Sequence, residues 1–391
     1  MLKHILTLTW NRRWANSLVM LEVIIAFFAL FVLISVGYHL WSNYQRPLGY
    51  NYDNVWEISL RIDGRWQDKD TQILPDVINA LNALPNVVST HAQSAPAFRN
   101  WSWTTRLPAK DSTERVYRNL FSDGAQETLG IKLIDGRWPL AGESEPQKAV
   151  VAINRYMRDR FFEDDVNAVN RVIVDGESEF RIVGVFEDYR QRGEFTEQVS
   201  YTIGSLDLSN PGNNVTTLFV KMAPGTPVSD EELVLNTAKS IAPHWDMGIV
   251  PWSELREQHH ANVLTPIRIA TVLAGFFLLM VAMGLIGVLW QDVLRRTQEI
   301  GLRRALGAPS GNVRMQIIGE MLAVTGLGVI IGGVLAAQLP MLELIDAINW
   351  QTTPMALVLS ALMIFALSFF AAYYPSYIAA RYTPSEALRY E

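Results

Sequence analysis

Cysteine is missing from all 391 residues, which removes disulfide scaffolds, thiolate nucleophiles and Cys-based zinc or iron–sulfur centres in one step. A G-x-x-x-x-G-K-[ST] phosphate loop is missing too, although an ATPase needs such backbone N–H groups and a Lys to hold the β- and γ-phosphates. Neither H-x-x-x-H nor H-E-x-x-H occurs, and the adjacent His259 and His260 would point apart on a helix, so no metal site is expected. Acid pairs such as Asp164-Asp165 and Glu231-Glu232 suit solvated helix ends. No catalytic triad is recognisable, so a non-catalytic chain without a cofactor of its own is expected. Cationic excess is also lacking: 33 Lys and Arg face 39 Asp and Glu, a formal net charge of -6. Nucleic acid is therefore not an expected partner.

Charge is nearly absent from four runs: Leu18 to Leu40, Ile267 to Leu289, Ile317 to Leu339 and Met355 to Tyr374. Glu22, Arg268 and Glu320 are their only formal charges. At about 1.5 Å per residue, runs of this length cross a hydrocarbon core of about 30 Å. Four membrane-spanning helices are predicted, in contact with lipid, and a soluble single-core protein is excluded. The first run is too long for a signal-peptide core, and Tyr38-His39-Leu40-Trp41 after it holds no small-x-small cleavage pattern. It is read as an uncleaved anchor.

Basic residues set the orientation. Lys3, Arg12 and Arg13 precede the first run, Arg295, Arg296, Arg303, Arg304 and Arg314 separate the second and third, and Arg381 and Arg389 follow the fourth. The connection from Pro340 to Thr353 has Glu343 and Asp346 and no basic residue. The positive-inside rule puts both termini in the cytoplasm, and an even number of spans agrees by placing them on one side. The segments expected in the cytoplasm are therefore 1–17, 295–308 and 375–391.

Residues 42–264 then form a large extracytoplasmic insert. Val55 to Ile62, Arg171 to Val174, Phe180 to Val185 and Thr217 to Lys221 alternate as half-buried strands do. Ile73 to Leu84 and Glu231 to Ile241 carry helical spacing and are ended by Pro85 and Pro243, with Ser229 or Asp230 as N-cap of the second. The insert reads as α+β with two lobes: an outer-end lobe from about 50–95 and 213–262, and an inserted lobe from about 96–212.

Between the second and third runs stands Glu299-Ile300-Gly301-Leu302-Arg303-Arg304-Ala305-Leu306-Gly307-Ala308. It predicts a short amphipathic helix in which Ile300, Leu302 and Leu306 give the apolar side and the arginines the polar side, with Gly307 permitting the turn that ends it. From spacing alone, a lipid-facing surface helix is as good a reading as a docking element. Glu22 and Glu320 lie just inside their runs at the cytoplasmic face, either as partners for Arg in this loop or snorkelling to the interface. Gly328 and Gly332 form a G-x-x-x-G that should pack closely on another helix.

"EIGLRRALGA", the helix opening "NVRMQIIGEML", the ending "YPSYIAARYTPSEALRYE" and the insert blocks "LFSDGAQETLGIKLIDGRWP", "AVVAINRYMRDRFF" and "FRIVGVFEDYR" together resemble the MacB/FtsX/LolCE-like (type VII, mechanotransmission) ABC transporter permeases. The resemblance covers nearly the whole chain. It implies four transmembrane helices with a large α+β periplasmic domain between the first and second, in a bacterial inner membrane. It makes residues 295–308 the coupling helix that docks on the ATPase, and assigns Glu320 to a position where the family often has Glu. It implies a separate ATPase dimer that binds ATP and Mg, and a second permease subunit, identical or paralogous. Export of a peptide, natural product or similar compound, with a periplasmic adaptor and an outer-membrane channel, is the function it favours. Lipoprotein extraction and FtsX-like regulation of a cell-wall hydrolase are the alternatives, and a sensor without an ATPase is weakest because it leaves the loop unexplained. Two departures stand out: the fused ATPase of MacB is absent from these residues, and Pro309 replaces the usual Ser or Thr, which moves the expected N-cap of the third span to Ser310.

Overall fold

The computed structural model describes residues 13–61, 72–99, 101–110, 112–145, 147–162, 167–208, 215, 217–306 and 309–380. Asp164 and Asp165, the N-terminal Lys3 and Arg12, and the C-terminal Arg381 and Arg389 lie outside them. Two compact units divide the chain, Met1–Ser42 with Leu264–Glu391, and Asn43–Val263.

The chain begins with helix α1 (Arg13–Tyr44), then β1 (Val55–Arg61), α2 (Ile73–Asn82), β2 (Val87–Gln93), β3 (Trp103–Pro108), β4 (Thr113–Phe121) and α3 (Ala125–Leu129). Next come β5 (Leu133–Gly136), β6 (Lys148–Asn154), α4 (Arg155–Phe161), β7 (Val172–Asp175), β8 (Ser178–Phe186) and β9 (Ser200–Ser205). The insert closes with β10 (Thr217–Met222), α5 (Asp230–Ile241) and β11 (Asp246–Pro251). There follow α6 (Trp252–Arg295), α7 (Thr297–Ala305), α8 (Ser310–Ala336), α9 (Leu339–Leu342) and α10 (Thr353–Ala379).

In the unit Asn43–Val263, one mixed sheet runs β11-β1-β10-β2-β4-β9-β6-β8-β5, with β3 on β4 and β7 on β8. α2 and α5 cover β1, β10, β2 and β11. Their apolar faces explain why: Leu74, Val77 and Leu81 of α2, and Val234 and Ala238 of α5, join Ile58, Leu218, Val220 and Met247 in one core, burial that supplies the main stabilisation. α2 stops before Pro85 and α5 before Pro243, where the ring cannot continue the helix. Ser229 is the N-cap of α5 but makes no side-chain bond there.

Further along the sheet, α4 places Met157 and Phe161 against Leu107, Val116, Val151, Ile153 and Ile182. β4 and β9 are parallel, as are β6 and β8. The ladder between β2 and β4 narrows to the pair Gln93 and Phe121. An aromatic core of Tyr50, Phe98, Phe121, Phe186, Tyr189, Tyr201, Phe219 and Trp252 draws residues from both sides of that junction. His91 of β2 is fully buried there, stacked 5.0 Å from Phe219. Burial pushes its imidazole down from 6.5 to about 3. Glu57 is also buried. Desolvation raises its carboxyl above the usual range, although Trp252 Nε1 donates to it at 3.0 Å.

In the other unit, α1, α6, α8 and α10 are each long and apolar enough to cross a membrane. Val23, Phe27 and Phe31 of α1 meet Val281 and Leu285 of α6, Met321 and Val324 of α8, and Ile364 and Ala372 of α10. The N-cap of α8 is Pro309, with φ −66 and ψ 144, and not the expected Ser310. Proline's fixed φ suits the extended N-cap, so Ser310 becomes the first helical residue.

Candidate coupling site

The elbow between the second and third long apolar helices is built where α6 ends. Thr297 Oγ1 donates to the carbonyls of Val293 at 3.1 Å and Leu294 at 2.9 Å, so the side chain satisfies backbone at the junction of α6 and α7. α7 then turns back as a separate nine-residue helix. Ile300 is buried with Val293, Val313, Ala379 and the partly buried Ile317. Gly301 is buried beside it.

Leu302 and Leu306 do not share that side, which corrects the expected single apolar face. Leu302 is 58% and Leu306 80% exposed, whereas Ile300 is 7% exposed. The reason is helical phase: at about 100° per residue, positions 302 and 306 fall close together while 300 lies nearly opposite. α7 is apolar on two sides, one used inside the unit and one open. Glu299 and Ala305 are exposed. Gly307, Ala308 and the side chain of Arg304 lie outside the described residues.

A polar chain backs the elbow. Arg296 donates to Glu320 Oε2 at 2.7 Å and lies 3.3 Å from Asp292, and Gln316 donates to the other oxygen of Glu320 at 2.9 Å. Arg303 donates to Gln316 Oε1 at 2.8 Å and to Glu299 at 2.5 Å. The ends of α6, α7 and α8 are thereby joined through alternating charge. Arg314 lies over Tyr373 and Tyr377 of α10, 5.6 and 5.2 Å from their ring centroids, a cation–π contact that brings in the fourth span. Sequence reading missed Asp292, Gln316 and the Arg314 stack. The i,i+4 spacing of Gln316 and Glu320 was the available signal.

Glu22 is half-buried with its carboxylate against Gly284 of α6: a Cβ built there would stand 2.6 Å from Oε1. Gly328 and Gly332 pack on α1, since a Cβ at Gly328 would meet Val23 Cγ1 at 2.7 Å and one at Gly332 would meet the Phe27 ring at 2.9 Å. Among the described residues, no group of three or more His, Asp or Glu is placed to hold a metal ion. His260 instead bonds to Glu194 at 3.0 Å.

The MacB-like periplasmic core domain profile matches residues 17–231, and the FtsX-like permease C-terminal profile matches residues 271–384. The chain belongs to the MacB/FtsX family of ABC transporter permeases. Macrolide export ATP-binding/permease protein MacB of Hahella chejuensis is 23% identical over 399 residues, covering 97% of this chain and 58% of that protein. Its namesake from Chlorobaculum tepidum is 24% identical over 84% of this chain and 50% of that protein. The ABC transporter permease YvrN of Bacillus subtilis is 24% identical and covers 67% of each chain. The chain thus spans about half the length of the MacB proteins it matches. Among solved structures, the periplasmic region of MacB from Actinobacillus actinomycetemcomitans aligns with 54% of this chain and 94% of its own, at 14% identity and a TM-score of 0.37. The extracellular domain of the transporter YknZ from Gram-positive bacteria aligns with 50% of this chain and 100% of its own, at 12% identity and a TM-score of 0.34. The MacB/FtsX permease described here is therefore a membrane protein with four long apolar helices among its described residues and a periplasmic-type core domain.

Proposed function

We propose that this permease is the membrane subunit of an ATP-driven exporter that converts ATPase closure into movement of its periplasmic domain. A separate ATPase dimer would bind ATP and Mg and press on α7. Two permease subunits, identical or paralogous, would stand above it in the inner membrane with both termini cytoplasmic. The cargo would be a peptide, natural product or similar compound, handed to a periplasmic adaptor and an outer-membrane channel. Macrolide export, named for the MacB relatives, supports an export reading over lipoprotein extraction or hydrolase regulation.

One observation carries the reading: Leu302 and Leu306 are presented outward on a short helix whose inner side is locked to α6 and α8 by Ile300, Arg296 and Glu320. Exposed apolar side chains on a braced, cationic element suit a protein partner. A push on α7 would reach α6 and α8 through packed side chains and ion pairs, which deform little. Few charges lie within the spans, which fits mechanical transmission better than a polar substrate path.

The double variant Leu302→Asp/Leu306→Asp tests this. It should lose the co-purifying ATPase, by at least about tenfold for two central apolar contacts, while the periplasmic domain stays folded. Full retention of the ATPase would contradict the assignment.

A further inference from the structure

The connection between β8 and β9, residues 187–199, has no regular structure, yet Asp188, Arg190, Gln191 and Glu194 within it are each at most 5% exposed. Connecting segments usually run over the surface because their backbone needs partners. This one is buried because it binds almost everything around it inside the unit Asn43–Val263.

Its first holding point is Arg190. Nη1 donates to the carbonyls of Asn43 and Arg46 at 2.9 Å each, and Nη2 donates to those of Glu194, at 2.5 Å, and Thr196. Asn43 belongs to the last turn of α1, so a cation caps the carbonyl end of the first membrane helix, where the helix dipole favours it. Asn43 Nδ2 returns a bond to Phe195 O at 3.2 Å, and the Phe195 ring stacks 5.7 Å from Tyr44. Glu194 is the second holding point. Its carboxylate accepts from Arg256 and from His260 at 3.0 Å, both on the opening turns of α6. Gly193, at φ +90, lets the loop close on that helix: a Cβ there would stand 3.0 Å from the His259 ring.

The same loop grips the sheet. Asp188 accepts from Asn154 of β6 at 3.3 Å and from Gln198 at 2.8 Å. Gln191 accepts from Tyr201 of β9 at 2.6 Å and donates to Pro96 O at 2.8 Å. β1 and β11 are joined to α1 and α6 by the chain itself, whereas β4, β9, β6 and β8 meet that half of the sheet through a short junction, the Gln93 and Phe121 pair with the bonds of Ser94, Ala95 and Ser122 beside it. This loop is their direct hold on both helix ends. Burying the charged side chains of Asp188, Arg190 and Glu194 costs solvation that apolar packing would not, and what the charges provide here is a fixed geometry between the loop, the helix ends and the sheet.

We infer that residues 188–195 form a relay that passes displacement of the adjoining ends of α1 and α6 to β4, β6, β8 and β9, with Arg190 holding α1 and Glu194 holding α6 as positioning residues. The inference rests on the mechanical reading above and adds the periplasmic receiver to it.

The test uses the full chain with its ATPase in lipid nanodiscs, trapped with ATP and vanadate. The chain has no Cys, so spin labels can be placed on Ser42→Cys with Ala261→Cys, reporting the helix ends, and on Val228→Cys with Glu177→Cys, reporting the two parts of the sheet. In the native background both distances should change on trapping. In Arg190→Met, and in Glu194→Gln, which alters charge with little change of volume, the first pair should still respond. The response of the second should shrink at least about threefold, the scale expected when one coupling residue is lost. A full response of the second pair in both variants overturns the relay and leaves the mechanical reading standing. No response of either pair in the native background overturns that reading, and the relay with it.

Discussion

Glu320 is held from two sides, by Arg296 on one oxygen and Gln316 on the other, and both members of the ion pair are about 15% exposed. Glu320→Gln keeps a hydrogen-bonding side chain but removes the nearer of the two anions that Arg296 meets, leaving Asp292 alone. About 2 kcal/mol of stability should be lost, the scale of a hydrogen bond to a charged group. A double-mutant cycle with Arg296→Gln, read by thermal unfolding in detergent, should return a coupling of about 1 kcal/mol or more; additive losses would mean the pair is incidental. His91 gives a different test. Its folded pKa of about 3 lies below the ordinary 6.5, so the unfolded chain binds the proton more readily and stability falls as pH drops from about 6.5 towards 3. His91→Phe should flatten that decline in a plot of unfolding midpoint against pH, and an unchanged slope would show that His91 is not its source. An arginine partner for Glu320 was one of two readings left open by an acid placed just inside an apolar run beside a basic loop, the other being snorkelling to the interface. Which arginine was not legible, because the break between α6 and α7 at Arg296 and Thr297 resets the helical phase.

Between helices, the G-x-x-x-G of α8 sits directly on α1. Gly328→Ala would put a methyl 2.7 Å from Val23 Cγ1, on a β-branched side chain that cannot rotate away easily. A loss of about 1 to 3 kcal/mol is expected. Gly275→Ala, where nothing lies within 4 Å, should be neutral or slightly stabilising. Equal effects at the two sites, measured by thermal unfolding in detergent, would contradict close packing at Gly328. The four spans and the helices α2 and α5 could be read from hydrophobic period and proline stops, because those signals are local. The two-sided nature of α7 was lost by counting Ile300, Leu302 and Leu306 as one face. Helical phase separates them, and only the packing of Val293, Val313 and Ala379 shows which side is inward.

For the molecule as a whole, the absence of Cys makes orientation simple to measure. Single cysteines at Ser310 and Asp207 should react with an impermeant maleimide from opposite faces of the inner membrane, and labelling from the same face would overturn the topology. The sheet order escaped sequence reading for a physical reason. β1 lies between β10 and β11, its antiparallel partners from the far end of the insert, and no local pattern specifies a distant edge. The buried loop at residues 187–199 was hidden likewise, since Arg190 binds carbonyl groups, which every residue carries.

The central claim, that α7 receives force from a separate ATPase, is tested most directly by a photo-crosslinker at Leu306 in intact cells. The account predicts an adduct with a polypeptide that carries G-x-x-x-x-G-K-[ST], with little or none from a crosslinker at the inward Ile300. Adducts with lipid alone at Leu306 would contradict it.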